Sequence, residues 1–338
     1  MKVLVATHSY TGNGAAVMLL AALEHWTRNL GWTVDVLLDI ESAVPEELAR
    51  IGVNVFSTAD PSHYDFALVN TLVSAQYLDI LAPKVRTILW VHEGETVLWS
   101  SPAPPVKWRH LFSLPWKIVF QTRWQPDVVF KSFLSLSSNV VCVRNGLPPI
   151  PTNLVPHHKQ PGERRVVFVG GVYGRKRPHD LVSAVLGLGR SDIQCIFVGS
   201  TAGIETLGAD EVRRIKARPD LFLVTGELDR KAGLEYMASA DVFCLPSGDE
   251  SQPIAPLEAA ALGVPCALSD LPPYMGTWKH GINCLLSPVG DSALLGLNIA
   301  TLLDHDVLRR RLVEQAGILV PEHAIDSFVQ RFTAEVVS

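Results

Sequence analysis

Two glutamates carry the clearest chemical signal in this 338-residue sequence. Glu250 lies in a polar loop after an apolar run, and Glu258 lies in the first turn of a helix predicted over residues 255–262. Carboxylates accept hydrogen bonds from hydroxyl groups, and the N–H groups at a helix N-terminus attract phosphate. The pair therefore suits a ligand that carries both sugar hydroxyls and a diphosphate. The alternative is a solvated loop residue beside a partner of the helix dipole.

Proline and glycine mark the elements that must hold these glutamates. Pro246 ends the strand predicted at 242–245, and Pro256 is tolerated in the first helical turn, where a missing N–H breaks no hydrogen bond. Gly263 and Pro265 then end the helix. Strands and helices alternate in this way along most of the chain, which is typical of a parallel sheet wound by helices.

The predicted elements form two series separated by a proline-rich segment. The first series has strands at 3–6, 34–38, 66–69, 87–91, 118–121 and 140–143, and helices at 15–28 and 46–50. The second has strands at 166–169, 193–198, 221–224, 242–245 and 266–269, and helices at 180–188, 210–217, 230–238 and 255–262. We predict an α/β protein of two Rossmann-like, doubly wound domains that face each other across a cleft, where open sheets bind ligands.

The change in sequence character sets the predicted domain boundaries. Residues 1–150 form the first domain, residues 151–164 a linker, and residues 165–322 the second domain. The linker prediction depends on the five prolines between residues 147 and 165, since that segment has neither helical nor strand periodicity. Residues 323–338 have the apolar spacing of a terminal helix that could cross back to the first domain.

Other candidate residues follow strands of the first domain. His92 ends the strand 87–91, which places it at the predicted cleft edge, and His8 follows the first strand. The turn Gly12-Asn13-Gly14 lets backbone approach a ligand closely. For His92 the alternative is a core residue with satisfied hydrogen bonds, and for the turn it is a purely structural role. The full three-glycine dinucleotide fingerprint is absent, which disfavours a dehydrogenase.

Composition excludes several classes of protein. The net charge of −5 argues against nucleic acid as a partner, and no apolar run approaches the length of a membrane span. The five cysteines lack the short spacings of metal or redox sites, so we interpret them as reduced core residues. The N-terminal strand lacks the pattern of a signal peptide, and we expect a cytoplasmic protein.

The stretch from Ala240 to Pro265 resembles the donor site of the retaining glycosyltransferases of family 4, which have the GT-B fold. Four other segments agree with this resemblance. The strand 166–169 with the basic loop 175–178 resembles the family's phosphate loop, and 222–228 resembles its base-binding loop. Asn145-Gly146 resembles the signature before the linker, and 281–286 the turn after the donor site. The first domain is then the acceptor side, which matches the family only loosely.

The resemblance assigns roles to individual residues. Glu258 would hold the ribose hydroxyls, Glu250 the hydroxyls of the transferred sugar, and Lys176 the diphosphate leaving group. The family's usual arginine after the first strand is replaced by Gly171, which leaves Arg175 or Arg177 as its substitute. The family's glycine after the first glutamate is replaced by Pro253, so neighbouring amides would have to donate. The remaining implied donor-binding residues are Gly226, Leu228, Ser251, Gln252 and Ile254.

The resemblance also implies a reaction. A hexose-type sugar would move from a nucleotide diphosphate, with UDP or GDP expected, to a glycan, lipid-linked or small-molecule acceptor with retention of configuration. His92 would help to orient the donor sugar, and the loop of Gly12, Asn13, Gly14 and His8 would close over phosphate or acceptor. No cofactor is expected, and no metal, because no Asp-X-Asp pair is present. The alternative is a catalytically weak subunit that binds nucleotide sugar or glycan.

Residues 99–131 suggest a membrane-facing acceptor surface. Residues 101–155 hold six lysines and arginines against one aspartate, and four of the chain's eight tryptophans lie at 99, 108, 116 and 124. Aromatic rings settle at sugar faces or lipid interfaces, and cations attract anionic headgroups. We therefore expect peripheral contact with the inner face of a bacterial membrane. The alternative is that these tryptophans belong to the core.

Overall fold

The computed structural model describes residues 1–8, 14–38, 46–100, 105–201 and 209–338. The chain divides into two compact units, one comprising Met1–Pro148 with His323–Ser338 and the other comprising Pro149–Glu322. Each unit has its own parallel β-sheet. No helix among these described ranges is long and apolar enough to cross a bilayer.

The first unit is built on a seven-stranded parallel sheet with the strand order β3-β2-β1-β4-β5-β6-β7. The central strands are short apolar runs buried on both faces, as expected when helices cover both sides of a sheet. The strands are β1 (Lys2–Ala6), β2 (Thr33–Leu37), β3 (Asn54–Phe56), β4 (Phe66–Asn70), β5 (Thr87–Trp90), β6 (Lys117–Phe120) and β7 (Val140–Cys142).

Helices connect these strands. The longest, α1, buries a stripe of apolar residues that includes Leu19, Leu23 and Trp26, at the spacing expected of one helix face. The helices are α1 (Gly14–Arg28), α2 (Glu46–Arg50), α3 (Leu78–Leu81), α4 (Thr96–Ser100) and α5 (Pro105–Ser113). A 3₁₀ segment at Leu72–Tyr77 follows β4.

The second unit repeats this design on a six-stranded parallel sheet ordered β10-β9-β8-β11-β12-β13. The strands are β8 (Arg164–Val169), β9 (Ile193–Val198), β10 (Phe222–Gly226), β11 (Val242–Leu245), β12 (Cys266–Ser269) and β13 (Leu285–Ser287). The helices are α6 (Pro178–Gly187), α7 (Ala209–Lys216), α8 (Arg230–Ala238), α9 (Ala255–Ala261), α10 (Ser292–Asp304), α11 (Asp306–Gly317) and α12 (Leu319–Glu322). The predicted fold class of two Rossmann-like α/β sheets is confirmed.

The last helix, α13 (Ile325–Val337), packs in the first unit. Its Phe328 and Phe332 rings stack near Trp90, with centroids 5.8 Å and 4.4 Å from the indole. Thr333 Oγ1 accepts a 2.9 Å hydrogen bond from the indole N–H of Trp26. Helix α13 thus completes the core beside β5 and α1, although Thr333 lies 307 residues after Trp26 in sequence.

The segment predicted as a linker, residues 151–164, lies within the second unit and packs on α8. The Val155 N–H donates to Glu235 Oε1 at 3.2 Å, and the His157 ring stacks on Tyr236 with centroids 3.8 Å apart. Buried Arg165 donates to the carbonyl oxygens of His157 and His158. Prolines prevent regular structure in this segment, but side chains of the neighbouring elements hold it.

Candidate functional site

Both glutamates lie where the sequence predicts them, after β11 and at the start of α9. Glu250 is 5% exposed and Glu258 is 8% exposed, which is unusual for carboxylates that lack a partner. Pro256 is the second residue of α9, so it breaks no helical hydrogen bond. Each carboxylate therefore requires a specific donor.

Glu250 lies among cations and a hydroxyl group. Its Oε1 accepts hydrogen bonds from Lys176 Nζ and from Ser247 Oγ, the latter at 2.6 Å. Its Oε2 lies 3.4 Å from Arg175 Nη1. Burial alone would raise the pKa of Glu250, but Lys176 and Arg175 outweigh burial and lower it. The group is therefore a carboxylate at neutral pH.

The two candidate arginines in the basic loop after β8 have different partners. Arg175 Nη1 donates to the carbonyl oxygen of Asp249 at 2.7 Å and lies near the Glu250 carboxylate. Arg177 instead pairs with Asp180 through Nε at 2.5 Å, and its backbone is left-handed with φ of 49°. Arg175 therefore lies at the glutamate, whereas Arg177 holds the start of α6.

Gly171 lies where the resemblance expects an arginine. A Cβ at this position would come within 2.1 Å of the Tyr173 ring, so no larger residue fits without a rearrangement. The Tyr173 hydroxyl accepts a 3.1 Å hydrogen bond from Arg175 Nη2. The Tyr173 ring thus fills the space beside Gly171, and its hydroxyl group holds the Arg175 guanidinium by a hydrogen bond.

Glu258 has a partner that the sequence analysis did not identify. Arg230, the first residue of α8, places both Nε and Nη2 at 2.9 Å from Glu258 Oε1. Burial raises the pKa of Glu258, and Arg230 opposes this rise without cancelling it. The two residues are 28 positions apart, and no motif spacing links them, so only the folded arrangement identifies the pair.

The other predicted donor-binding residues lie near the ends of β10 and β11. Gly226 ends β10 with φ of 78°, a conformation that favours glycine, and its carbonyl accepts from Gly199 N–H at 3.0 Å. Leu228 is exposed, Ser251 and Pro253 are partly buried, and Gln252 and Ile254 are buried. Their assignment to donor binding stays a prediction.

In the first unit, His92 lies in a polar network at the ends of β4, β5 and β6. Its Nε2 is 2.9 Å from Asn70 Oδ1, and its Nδ1 is 3.2 Å from Gln121 Nε2. The amide oxygen can only accept, so Nε2 carries the proton and the ring is neutral. Gln121 Oε1 and Thr122 Oγ1 are buried without a partner among the described residues, which makes this edge rich in hydrogen-bonding groups that the sequence analysis missed.

A second polar group adjoins this network. Glu93 accepts from the N–H of Leu72 at 2.8 Å, next to Thr71, whose φ of 72° is rare for a non-glycine residue. His8 Nδ1 lies 3.0 Å from Thr71 Oγ1. Gly14 begins α1, while Gly12 and Asn13 lie outside the described residues.

Part of the predicted aromatic surface belongs to the core. Trp108 is 5% exposed, and Trp116 is covered by Arg86 and Lys117 in cation–π contacts. Lys117 is itself buried and donates to the Glu335 carbonyl near the end of α13. Trp124 packs against the core of the first unit, and the side chain of Trp99 lies outside the described part of the chain. The prediction of exposed tryptophans at this surface is therefore wrong at position 108, because this side of α5 faces the sheet.

Known proteins resemble this chain in sequence. The family model described as Glycosyl transferases group 1 matches residues 150–318. A phosphatidyl-myo-inositol mannosyltransferase of Mycobacterium leprae is 32% identical over 56% of this chain and 50% of the relative. A processive diacylglycerol alpha-glucosyltransferase of Acholeplasma laidlawii is 27% identical over 70% of this chain and 75% of the relative. The chain thus spans half the length of the first relative.

Solved structures resemble it over nearly the whole chain. A sucrose-phosphate synthase from Thermosynechococcus elongatus has a TM-score of 0.79 at 16% identity, covering 99% of this chain and 98% of its own. The Anabaena protein HepE in complex with UDP-glucose also has a TM-score of 0.79 at 16% identity, covering 100% and 99%. Such distant likeness establishes the GT-B fold. With the family model matching half of its length, this chain belongs to the group 1 glycosyl transferases.

Proposed function

We propose that this protein is a retaining glycosyltransferase that moves a hexose-type sugar from a nucleotide diphosphate to a carbohydrate or lipid-linked acceptor. The observation that carries the proposal is the buried Glu250 carboxylate held by Lys176, Arg175 and Ser247. Such a carboxylate accepts sugar hydroxyls, while the adjacent cations suit a diphosphate. The acceptor for sugar hydroxyls and the cations for the diphosphate therefore lie in direct contact with each other.

The cations favour departure of the leaving group. As the bond between the anomeric carbon and the phosphate oxygen breaks, negative charge grows on the diphosphate, and fixed cations stabilise that state more than the ground state. An ammonium has three N–H groups, so Lys176 can hold Glu250 and donate to phosphate at once. Arg175 takes the place of the family's usual arginine, because it lies at Glu250 and Arg177 is engaged by Asp180.

The anomeric configuration is retained if the acceptor attacks the anomeric carbon from the same face of the sugar that the diphosphate leaves. The acceptor oxygen bonds to the anomeric carbon, and its proton passes to the departing phosphate oxygen. This route needs positioning rather than a dedicated base. His92 is the candidate for such a positioning role in the first unit, where Asn70 and Gln121 hold its neutral ring in one orientation.

Glu258 would accept the ribose hydroxyls, with UDP or GDP as the expected nucleotide. The names of the relatives agree with a hexose: one is a mannosyltransferase and another a glucosyltransferase. The Anabaena structure holds UDP-glucose. We propose that the reaction requires no divalent metal.

A ligand screen tests this proposal. We expect UDP or GDP to raise the thermal midpoint while NAD leaves it unchanged, because only a ligand that prefers the folded state stabilises it. Transfer from the matching sugar nucleotide should continue in EDTA, and NMR of the product should show the donor's anomeric configuration. Stabilisation by nucleotide without transfer to any glycan or lipid acceptor would favour the binding-subunit alternative. Stabilisation by NAD alone would overturn the proposal.

We also propose that the first unit makes peripheral contact with the cytoplasmic face of a membrane. Lys107 and Arg109 are exposed on α5, and exposed Lys131 begins the 3₁₀ segment Lys131–Phe133, which packs against α5. Leu136, a few residues further on, is fully exposed. Cations with an exposed apolar side chain are what an anionic bilayer attracts. This surface replaces the predicted aromatic one.

Vesicle sedimentation tests the membrane surface. Lys107→Glu/Arg109→Glu should lose salt-sensitive binding to anionic vesicles, because the charge at α5 is reversed. Arg213→Glu/Arg310→Glu makes the same charge change on exposed positions of the second unit and should retain binding. Equal loss in both double variants would point to net charge alone and would count against a defined surface.

A further inference from the structure

Arg230 contacts two parts of the second unit at once. Its Nε and Nη2 lie 2.9 Å from Glu258 Oε1, and its Nη1 donates to the Pro149 carbonyl at 3.0 Å. Asp229 caps α8 by accepting from Ala232 N–H at 2.8 Å, which fixes the backbone from which Arg230 extends. The guanidinium is therefore held on two edges.

Arg230 contacts one of the two carboxylate oxygens of Glu258, which leaves the other oxygen for a ligand. Both bonds from Arg230 fall on Oε1, and among the described residues no donor meets Oε2. A ribose diol presents two O–H donors, which an ionised carboxylate can accept and a protonated one accepts poorly. The ionisation state of Glu258 therefore decides how well it holds ribose.

Burial and Arg230 act on that ionisation in opposite directions. Glu258 is 8% exposed, and desolvation raises its pKa, while Arg230 lowers it. Helix α9 packs against α8, α11, α12, β11 and β12. The charged residues of these elements are Arg230, Lys231 and Glu235 on α8, Asp306, Arg309, Arg310, Arg311 and Glu314 on α11, and Glu322 on α12. Arg230 is the cation that forms an ion pair with Glu258 and lowers its pKa. Removing it would leave a buried carboxylate without a counter-charge.

We propose that Arg230 is a positioning residue that keeps Glu258 ionised and oriented toward the nucleotide ribose, and so sets the pH range over which donor binds. This inference rests on the proposed function. Arg230 itself need not touch the ligand. Its partner Pro149 begins the second unit, so the same side chain also anchors the start of that unit.

The test measures UDP and 2′-deoxy-UDP binding by calorimetry between pH 6 and pH 9, with GDP and its 2′-deoxy form used instead if GDP stabilises the protein better. The wild type should bind with nearly constant affinity and prefer the ribonucleotide. Arg230→Met should bind the ribonucleotide tenfold or more weakly at pH 6, regain affinity as pH rises, and lose the preference for ribose at low pH. Arg230→Lys should restore much of the wild-type profile, since it returns the charge.

Two controls separate electrostatics from folding. Lys231→Met alters the next residue of α8, which pairs with Glu235 rather than Glu258, and should bind like the wild type. Glu258→Gln should bind weakly at every pH, and adding Arg230→Met to it should cause no further loss. A pH-independent loss in Arg230→Met that lysine does not rescue, or no loss, would overturn the inference. Absence of nucleotide binding in the wild type would instead overturn the proposed function.

Discussion

Replacing Lys176 by methionine should lower glycosyl transfer by roughly 100- to 1,000-fold, the usual effect of removing one preorganised donor to a developing negative charge. Lys176 Nζ donates to Glu250, so under the proposed function its loss removes a cation from the leaving group and from the carboxylate that accepts sugar hydroxyls. Arg175 and Ser247 still contact Glu250, which should keep the variant folded. Steady-state transfer kinetics measure the effect, and kcat should fall more than donor affinity.

Arg177→Met is the matched control, because it changes the adjacent residue of the same basic loop. Arg177 pairs with buried Asp180, so its loss should lower the free energy of unfolding by a few kcal/mol. Turnover of the folded fraction should stay near the wild-type rate. If Arg177→Met and Lys176→Met lost turnover to the same extent, the loop would act through its net charge. The assignment of a specific role to Lys176 would then be wrong.

His92→Gln should alter how stability depends on pH. Desolvation lowers the pKa of His92 to about 3, whereas an unfolded histidine titrates near 6.5. Between these values the unfolded chain binds a proton that the folded chain does not. The contribution of neutral His92 is therefore present above pH 6.5 and is lost as pH falls toward 3, by up to about 1.4 kcal/mol per pH unit.

Urea unfolding at pH 7.5, 6.5, 5.5 and 4.5 measures this effect. At pH 7.5 the variant should be less stable by about 1–3 kcal/mol, since the hydrogen bonds to Asn70 and Gln121 are disrupted. The difference should shrink as pH falls, because glutamine takes up no proton. The control is His63→Gln, which makes the same substitution at a histidine whose side chain is 73% exposed. A constant difference for His92→Gln would mean that His92 titrates alike in both states.

The periodicity of the sequence predicted most of the fold because the central strands are uninterrupted apolar runs. The strand Ile193–Val198 and the helix Arg230–Ala238 begin and end where predicted. Strand β3 (Asn54–Phe56) was missed, since three partly exposed residues at a sheet edge show no period. Helices α10 and α11 lie beyond the last predicted strand and were not predicted, although Asp291 caps α10.

The placement of the candidate site residues was predictable where those residues lie close together in sequence. Glu250 and Glu258 are marked by the strand, loop and helix that carry them, and the basic loop follows a recognisable strand. Arg230 was not predictable, because its partner depends on how α8 packs beside α9. The different partners of Arg175 and Arg177, Glu250 and Asp180, were likewise not predictable, because adjacent basic residues look alike in sequence.

The return of α13 to the first unit has a consequence for the order in which the chain folds during synthesis. The ribosome makes β1 to β7 first, but the rings of Phe328 and Phe332 that cover Trp90 emerge only after Pro149–Glu322 has been translated. At about 5–20 residues per second, that delay is on the order of ten seconds or more. During this time the nascent first unit exposes the apolar surface that α13 later covers, and such surface is what makes folding intermediates prone to aggregation and dependent on chaperones.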